Sequence, residues 1–307
     1  MKCLAFAIFA IAFNFFTGNV GLLSIGHAAF FGMGAYICGY TAKEWGLTAE
    51  LSLLAGVIVA GVLGWIFGIL AIRRKGIYFA MITLALAQMI YFFLVQAPFT
   101  GAEDGLQRIP RASLFGIVNL HDDLRMYYFI LAVLIGTLAL VQFLTTSPFG
   151  LVLKAIHDSE PRSLSLGYDV ANYKLTAFVI SACLAGLAGG LKALTLGLAA
   201  LSDAHWTQSG NVILMVLLGG LGTTLGPVVG AVVVVMLETK FSDIGVVSIA
   251  GYSLDLSTKV PILVGLVFMV CVLIFRKGIV GELLALRMPR SKSDPSVTEG
   301  KPQPKHE

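Results

Sequence analysis

The sequence predicts an all-α protein, a polytopic transmembrane bundle of about eight to ten helices, some broken or re-entrant. Three observations carry this. Hydrophobic residues make up 57% of the 307, and only 12% are charged, where soluble domains carry about a quarter; mean hydropathy is +0.89. The apolar runs are continuous over roughly fifteen to twenty-five residues rather than alternating, which reads as helix and not barrel strand. Only helices and closed barrels satisfy every backbone group in lipid. Finally, one polar stretch of about twenty residues, Ser147–Gly167, interrupts the apolar pattern where a few residues would connect two spans.

About nine hydrophobic segments follow one another, each needing roughly twenty residues to cross a bilayer. They are Cys3–Phe16, Ser24–Thr41, Leu51–Ile72, Gly76–Ala97, Met126–Thr145, Tyr173–Leu196, Asn211–Leu221, Leu225–Leu237 and Val260–Phe275. The first is short and signal-like, but it runs into Gly18-Asn19-Val20-Gly21 without a small-x-small cleavage site and reads as a retained helix. The seventh and eighth are too short for ordinary spans and meet at Gly219–Pro227, where Gly and Pro break the run. The second opens the same way, with glycines at 21, 26, 32 and 34.

Paired glycine-broken segments point to a transport pathway, because broken helices free backbone groups to line a cavity. Helix packing predicts the same composition: Gly64/Gly68, Gly186/Gly190 and Gly222/Gly226/Gly230 are small-xxx-small sets. Both readings stand. On the pathway reading the candidates are Ser24, Gly26, His27, Phe30, Phe31 and Gly32 in one segment, and Gly222, Thr223 and Thr224 in the other. His27 fits either a substrate hydrogen bond or the fixing of an irregular backbone.

The polar stretch carries helix-period apolar positions, Leu151, Ala155 and Ile156, against Lys154, His157, Asp158, Glu160 and Arg162. It is either an ordered surface loop or an amphipathic helix that docks a soluble partner. Basic residues set orientation. Arg73-Arg74-Lys75 and the tail from Arg276 place those segments, and with them Ser147–Gly167, in the cytoplasm. Counting back puts the amino terminus outside, against the hint from Lys2. Residues 1–278 form the membrane domain; 279–307 form a cytoplasmic tail, largely disordered, Pro/Ser/Lys-rich from Arg290. The loops Pro98–Arg125 and Gly197–Gly210, the latter with Asp203, His205 and Trp206, fall outside.

The net charge of +4 says nothing of nucleic acid, and none is expected as a partner. Cys3, Cys38, Cys183 and Cys271 lie in apolar runs without paired spacing, so neither a metal site nor a disulfide framework is expected. No G-x-x-x-x-G-K-[ST] fingerprint occurs, and no catalytic cluster is visible; no enzyme activity and no cofactor are expected. Lys192 is expected to snorkel to the outer interface, and Glu238 to be interfacial. With no carboxylate mid-span, the driving energy is expected from another subunit.

Gly21-Leu-Leu-Ser-Ile-Gly-His-Ala-Ala-Phe-Phe-Gly-Met-Gly-Ala-Tyr36 resembles the first signature of the high-affinity branched-chain amino acid ABC-transporter permeases, the LivM type. Four more stretches match in order: Gly76–Ala85, Thr100–Leu106, Ser147–Gly167 and Leu218–Pro227. The resemblance reaches Gly281. It implies an inner-membrane permease subunit of an ABC importer for leucine, isoleucine and valine. The implied partners are a second related permease, two cytoplasmic ATPases that use the ATP, a periplasmic binding protein and membrane lipid. It makes Ser147–Gly167 the ATPase-docking loop, with Glu160 and Gly167 at its anchor positions, although Pro161-Arg162-Ser163 replaces the family's usual alanines. Members commonly carry a further apolar helix before the first signature. A permease for urea or short amides on the same scaffold, and a self-sufficient secondary carrier, are the alternatives.

Overall fold

The computed structural model describes residues 1–101, 104–111, 122–243, 246–249, 252–255, 265, 268–269, 273 and 278–282. Its helices are α1 (Lys2–Val20), α2 (His27–Glu44), α3 (Ala49–Ala71), α4 (Ile77–Gln96), α5 (Asp123–Thr146), α6 (Pro148–Asp158), α7 (Glu160–Ser165), α8 (Val170–Leu196), α9 (Trp206–Gly219) and α10 (Gly226–Asp243). Two small antiparallel ribbons join them, β1 (Leu106–Gln107) with β2 (Leu198–Ala199), and β3 (Val246–Ile249) with β4 (Tyr252–Asp255). The second ribbon has no counterpart in the sequence reading. Among the described residues, α1, α3, α4, α5 and α8 are long and apolar enough to cross a membrane. Most of the ninth hydrophobic segment, Val260–Phe275, lies outside the described residues, as does the chain from 283 on.

The first segment is longer than its apolar run suggests and sits inside the bundle. α1 has 19 residues, roughly 28 Å at 1.5 Å per residue. It is hydrophobic all round, as expected of a helix with neighbours on every side, and residues 5–17 are all buried. Gly21 closes it in the left-handed region (φ 74), donating its N–H to the Thr17 carbonyl. The chain then runs non-helically to His27, so Ser24 belongs to the connection and not to the second helix.

α8 is the other central helix, packed on α1, α2 and α3. Its small residues allow this. A Cβ on Gly34 of α2 would strike the backbone of Gly186, and one on Gly189 would strike the Phe31 carbonyl. Gly64 of α3 lies against Ala182, and Gly190 against Leu53 and Cys38. In lipid such backbone approach supplies the association that hydrophobicity supplies in water. The packing reading therefore holds for Gly64, Gly186 and Gly190. Gly222 differs: nothing lies within 4 Å of its missing side chain, and its backbone sits at φ 76.

The outer helices keep apolar faces open. Leu51, Leu54, Ile58, Val62 and Trp65 form an exposed stripe on α3 at helical spacing, and Ile77, Met81 and Phe92 are exposed on α4. At one end of the bundle meet the close of α1, the α3–α4 turn and helices α6 and α7, with Lys75 bonded to Glu160 and Gly21 against His157. Gly278 packs on Gly220 in the α9–α10 turn, beside the last turns of α5. The basic Arg73–Lys75 turn and the polar loop thus share one end, as the count of spans requires.

Replacing Gly189 by Val should be severe, because the branch must enter the Phe31 carbonyl; overpacking of this kind costs ~1–3 kcal/mol or more. Gly136→Ala, at a glycine with open space around it, should be tolerated. Thermal unfolding in detergent checks both, with a lowered midpoint or loss of folded protein for Gly189→Val alone.

Candidate functional site

The polar loop folds as two short helices. Ser147 caps α6, its Oγ accepting the Gly150 N–H at 3.4 Å, and Pro148 fills the first turn, where no N–H is required. Ser159, extended at φ −158 and ψ 97, separates α6 from α7. On α6 the buried side holds Gly150, Leu153 and Ile156, three residues apart. Leu151 and Ala155 are exposed. The three apolar positions read as one face are thus divided: Ile156 lies about 140° around the helix from Leu151 at roughly 100° per residue. Leu153, which the sequence reading passed over, is its inward companion. Leu164 on α7 and Leu166 just past it add exposed apolar surface. Gly167 follows at φ 87, exposed, with nothing within 4 Å of its side-chain position.

Glu160 turns inward. Its Oε2 lies 2.9 Å from Lys75 Nζ and 3.2 Å from Lys174 Nζ. Partial burial pushes its carboxyl upward, but the hydrogen bonds and charges of Lys75 and Lys174 outweigh this and hold it below the usual carboxylate range. Lys174 stands just over one turn into α8 with its side chain only 7% exposed. The sequence reading missed it, although a lysine inside the sixth apolar run was there to be seen. A cavity of about 390 Å³ opens beside the pair, with Gly21, Leu22 and His157 on its walls.

The Ser24–Gly32 segment is a packed node. Ser24 Oγ accepts the Gly26 N–H at 3.4 Å, and Gly26 presses on the Thr83 carbonyl of α4. His27 is fully buried among Phe13, Phe16, Phe30 and Phe178. Its Nε2 lies 2.9 Å from Ser181 Oγ. That hydroxyl donates to the Ala12 carbonyl at 2.6 Å, so the imidazole is the donor and carries its proton on Nε2. The Ala28 N–H donates to Ser209 Oγ of α9 at 2.9 Å. Phe31 stacks on Phe6 and Phe9 of α1, and Gly32 touches Ala204. This arrangement does what the structural reading of His27 requires: it pins an irregular backbone inside the bundle.

The second broken segment is held from α1 by a residue that the sequence reading did not single out. Asn14 Oδ1 accepts the Gly222 N–H at 3.0 Å, and Asn14 Nδ2 donates to the Thr223 carbonyl at 3.0 Å. One turn on, Gly18 gives room for the Gly222 backbone. Thr223 Oγ1 donates to the Gly220 carbonyl and accepts the Gly226 N–H, closing the turn. Thr223, Thr224 and Leu225 then line a cavity of about 530 Å³ with Ile135, Leu138 and Gln142 of α5. The two broken segments do not meet. Phe13 and Phe16 face the first, Asn14 and Gly18 the second, and these faces of α1 lie roughly 150° apart at about 100° per residue.

At the far end Lys192 does not snorkel. Its Nζ is 2.5 Å from Asp203 Oδ2, with both side chains almost wholly buried. Asp203 Oδ2 also accepts the Ala200 N–H at 3.1 Å. The Gly197–Gly210 stretch, expected as an outer loop, folds back into the bundle here, and α9 begins within it at Trp206. Two opposite charges eleven residues apart, one on α8 and one on the segment that folds back, pair with each other out of water.

A family model described as the branched-chain amino acid transport system permease component matches residues 1–275. The chain is 27% identical over 261 residues to the high-affinity branched-chain amino acid transport system permease protein LivM of Salmonella typhimurium (strain LT2). The same identity and length hold for the LivM protein of Escherichia coli (strain K12). Each alignment covers 78% of this chain and 61% of the relative, so the chain spans under two thirds of these relatives' length. No solved structure matches significantly.

Asn14→Ala should free the Gly222–Thr223 turn. It leaves a part-buried N–H and carbonyl without their partner, at about 1 kcal/mol. Hydrogen exchange over residues 219–226 should accelerate while exchange in α8 stays slow; unchanged exchange at the turn would remove Asn14 from this role.

Proposed function

The chain belongs to the branched-chain amino acid transport permease family, and on that premise we propose that it is the membrane-spanning subunit of an ABC importer for leucine, isoleucine and valine. The observation that carries this reading is the family match, which runs through residues 1–275 and so includes both broken segments and the polar loop. Separate ATPase subunits supply the energy, a second related permease completes the channel, and a periplasmic binding protein delivers the substrate. The chain lies in the bacterial inner membrane with Arg73–Lys75, the polar loop and the C-terminal tail in the cytoplasm, following the excess of Lys and Arg there.

In this mechanism the ATPases engage the exposed side of the loop, Leu151, Ala155, Leu164 and Leu166. They favour one state of the bundle because they bind it better than the other. Substrate passes along the α5 side of the α9–α10 turn. The cavity there offers Ile135, Leu138 and Leu225 to an aliphatic side chain, and Thr223, Thr224 and Gln142 to the polar ends of a zwitterion. Urea or a short amide has no aliphatic part to use such a wall. The Ser24–Gly32 node, packed shut around His27, serves as the fixed point against which that face moves.

Two outcomes are expected. In liposomes holding the whole complex, leucine uptake should require ATP and be competed by isoleucine and valine far more than by urea. Competition by urea alone would reassign the substrate, and ion-driven uptake without nucleotide would replace the importer by a carrier. For sidedness, a cysteine at Lys154 should react with a membrane-impermeant thiol reagent only after the membrane is opened. A cysteine at Glu44, at the other end of α2, should react in intact spheroplasts; the reverse pattern inverts the orientation.

A further inference from the structure

The polar loop meets the bundle in two unequal ways. α6 packs on α1, α5 and α8 through Leu153 and Ile156, with Gly150 fitted against the carbonyls of Leu144 and Thr145. α7 is six residues long and buries only Ser163. What fixes α7 is the Glu160 carboxylate, a single oxygen shared between a nearly buried lysine of α8 and a lysine of the α3–α4 turn. Pro161, next in sequence, restricts the backbone on which that carboxylate is carried. Among the described residues Glu160 is the acid that pairs with Lys174, so without it two ammonium groups face each other with one of them out of water.

We propose that Glu160 is a positioning residue directed into its own chain, joining the docking loop to α8 through Lys174 and to the α3–α4 turn through Lys75. The inference rests on the reading of this loop as the point where an ATPase engages. The resemblance in sequence puts Glu160 at an anchor position of the loop; the geometry makes its anchorage intramolecular. A load on Leu151, Ala155, Leu164 and Leu166 then reaches α8 at its base and the α3–α4 pair together. Without the carboxylate the load falls on the α6 contacts alone, and α7 with the α3–α4 turn moves independently of it.

The test is Glu160→Gln, which keeps the shape and removes the charge, in the complete complex reconstituted in liposomes. The ATPase subunits should remain bound in wild-type proportion and hydrolyse ATP, while leucine transported per ATP falls about ten-fold or more. The exchanged pair, Glu160→Lys with Lys174→Glu, remakes the tie to α8 but not the one to Lys75 and should recover part of that ratio, which a residue contacting the ATPase directly would not do. Loss of the ATPases from Glu160→Gln, or an unchanged ratio of uptake to hydrolysis, overturns the proposal. A second measurement uses the permease chain alone in lipid nanodiscs and so is independent of the importer reading. Hydrogen exchange should rise at residues 160–165 and 73–76 together in Glu160→Gln; in the exchanged pair, which remakes the tie to α8 but sets Lys75 against a lysine, it should return toward wild type at 160–165 and stay raised at 73–76. Exchange that stays at the wild-type level in both stretches overturns the tie even if the importer reading stands.

Discussion

The close contact of α8 with α2 and α3 is the constraint on which the other arrangements depend. Lipid tails are as apolar as leucine, so the helices gain nothing from hydrophobic exclusion and must gain from fit. Glycines at 34, 186 and 189 let backbone lie on backbone, which puts a 27-residue helix in the middle of the protein. From there α8 supplies one partner to each of three polar ties. Lys174 meets Glu160 at the loop end, Ser181 meets His27 in the interior, and Lys192 meets Asp203 at the far end. Every one of these needs the helix axis where the glycines allow it to be.

The ties are costly, and this is informative. A buried ion pair roughly balances desolvation against attraction and adds little stability in total. The buried Lys192–Asp203 pair and the part-buried Lys174–Glu160 pair, with an imidazole locked to a hydroxyl, are better explained as fixing which arrangement is adopted. α1 is their counterpart. It brings the Ala12 carbonyl to Ser181 on one face and Asn14 to the Gly222 turn on the other, so an apparently featureless apolar helix sets the separation of the two broken segments.

Fold class, order of spans and placement of the polar loop were legible because each is a property of a contiguous stretch. Continuous apolar runs mark α3, α4, α5 and α8 to within a few residues, and the mixed helical spacing within Ser147–Gly167 marks a helix there without its bounds. What was illegible rests on distance along the chain. Asn14 binds residues more than two hundred positions away and lies in a helix apolar on every side, so no single face orients it. Lys192 looks like a snorkelling lysine until Asp203, on a segment that sequence places outside, folds back to it. For Leu151, Ala155 and Ile156 the period was right and the phase was wrong. A helix lying on the bundle buries one side and shows another, and composition alone does not say which is which.

The strength of these contacts also decides what can move. α1, α2, α3 and α8 are joined by backbone approach and by interlocked aromatic rings around His27, contacts with no softer alternative packing nearby. The α9–α10 hairpin packs on α1 and is tied to the inner helices by the Ser209 hydrogen bond and the two hydrogen bonds of Asn14. α4 and α5 present mainly apolar faces, with exposed side chains from Met81 to Phe93 and from Tyr128 to Phe143. A rearrangement that keeps the glycine contacts carries α2, α3 and α8 as one body. The 530 Å³ cavity lies between α5 and the α9–α10 turn, so any shift of one against the other changes the size of that threonine-lined space.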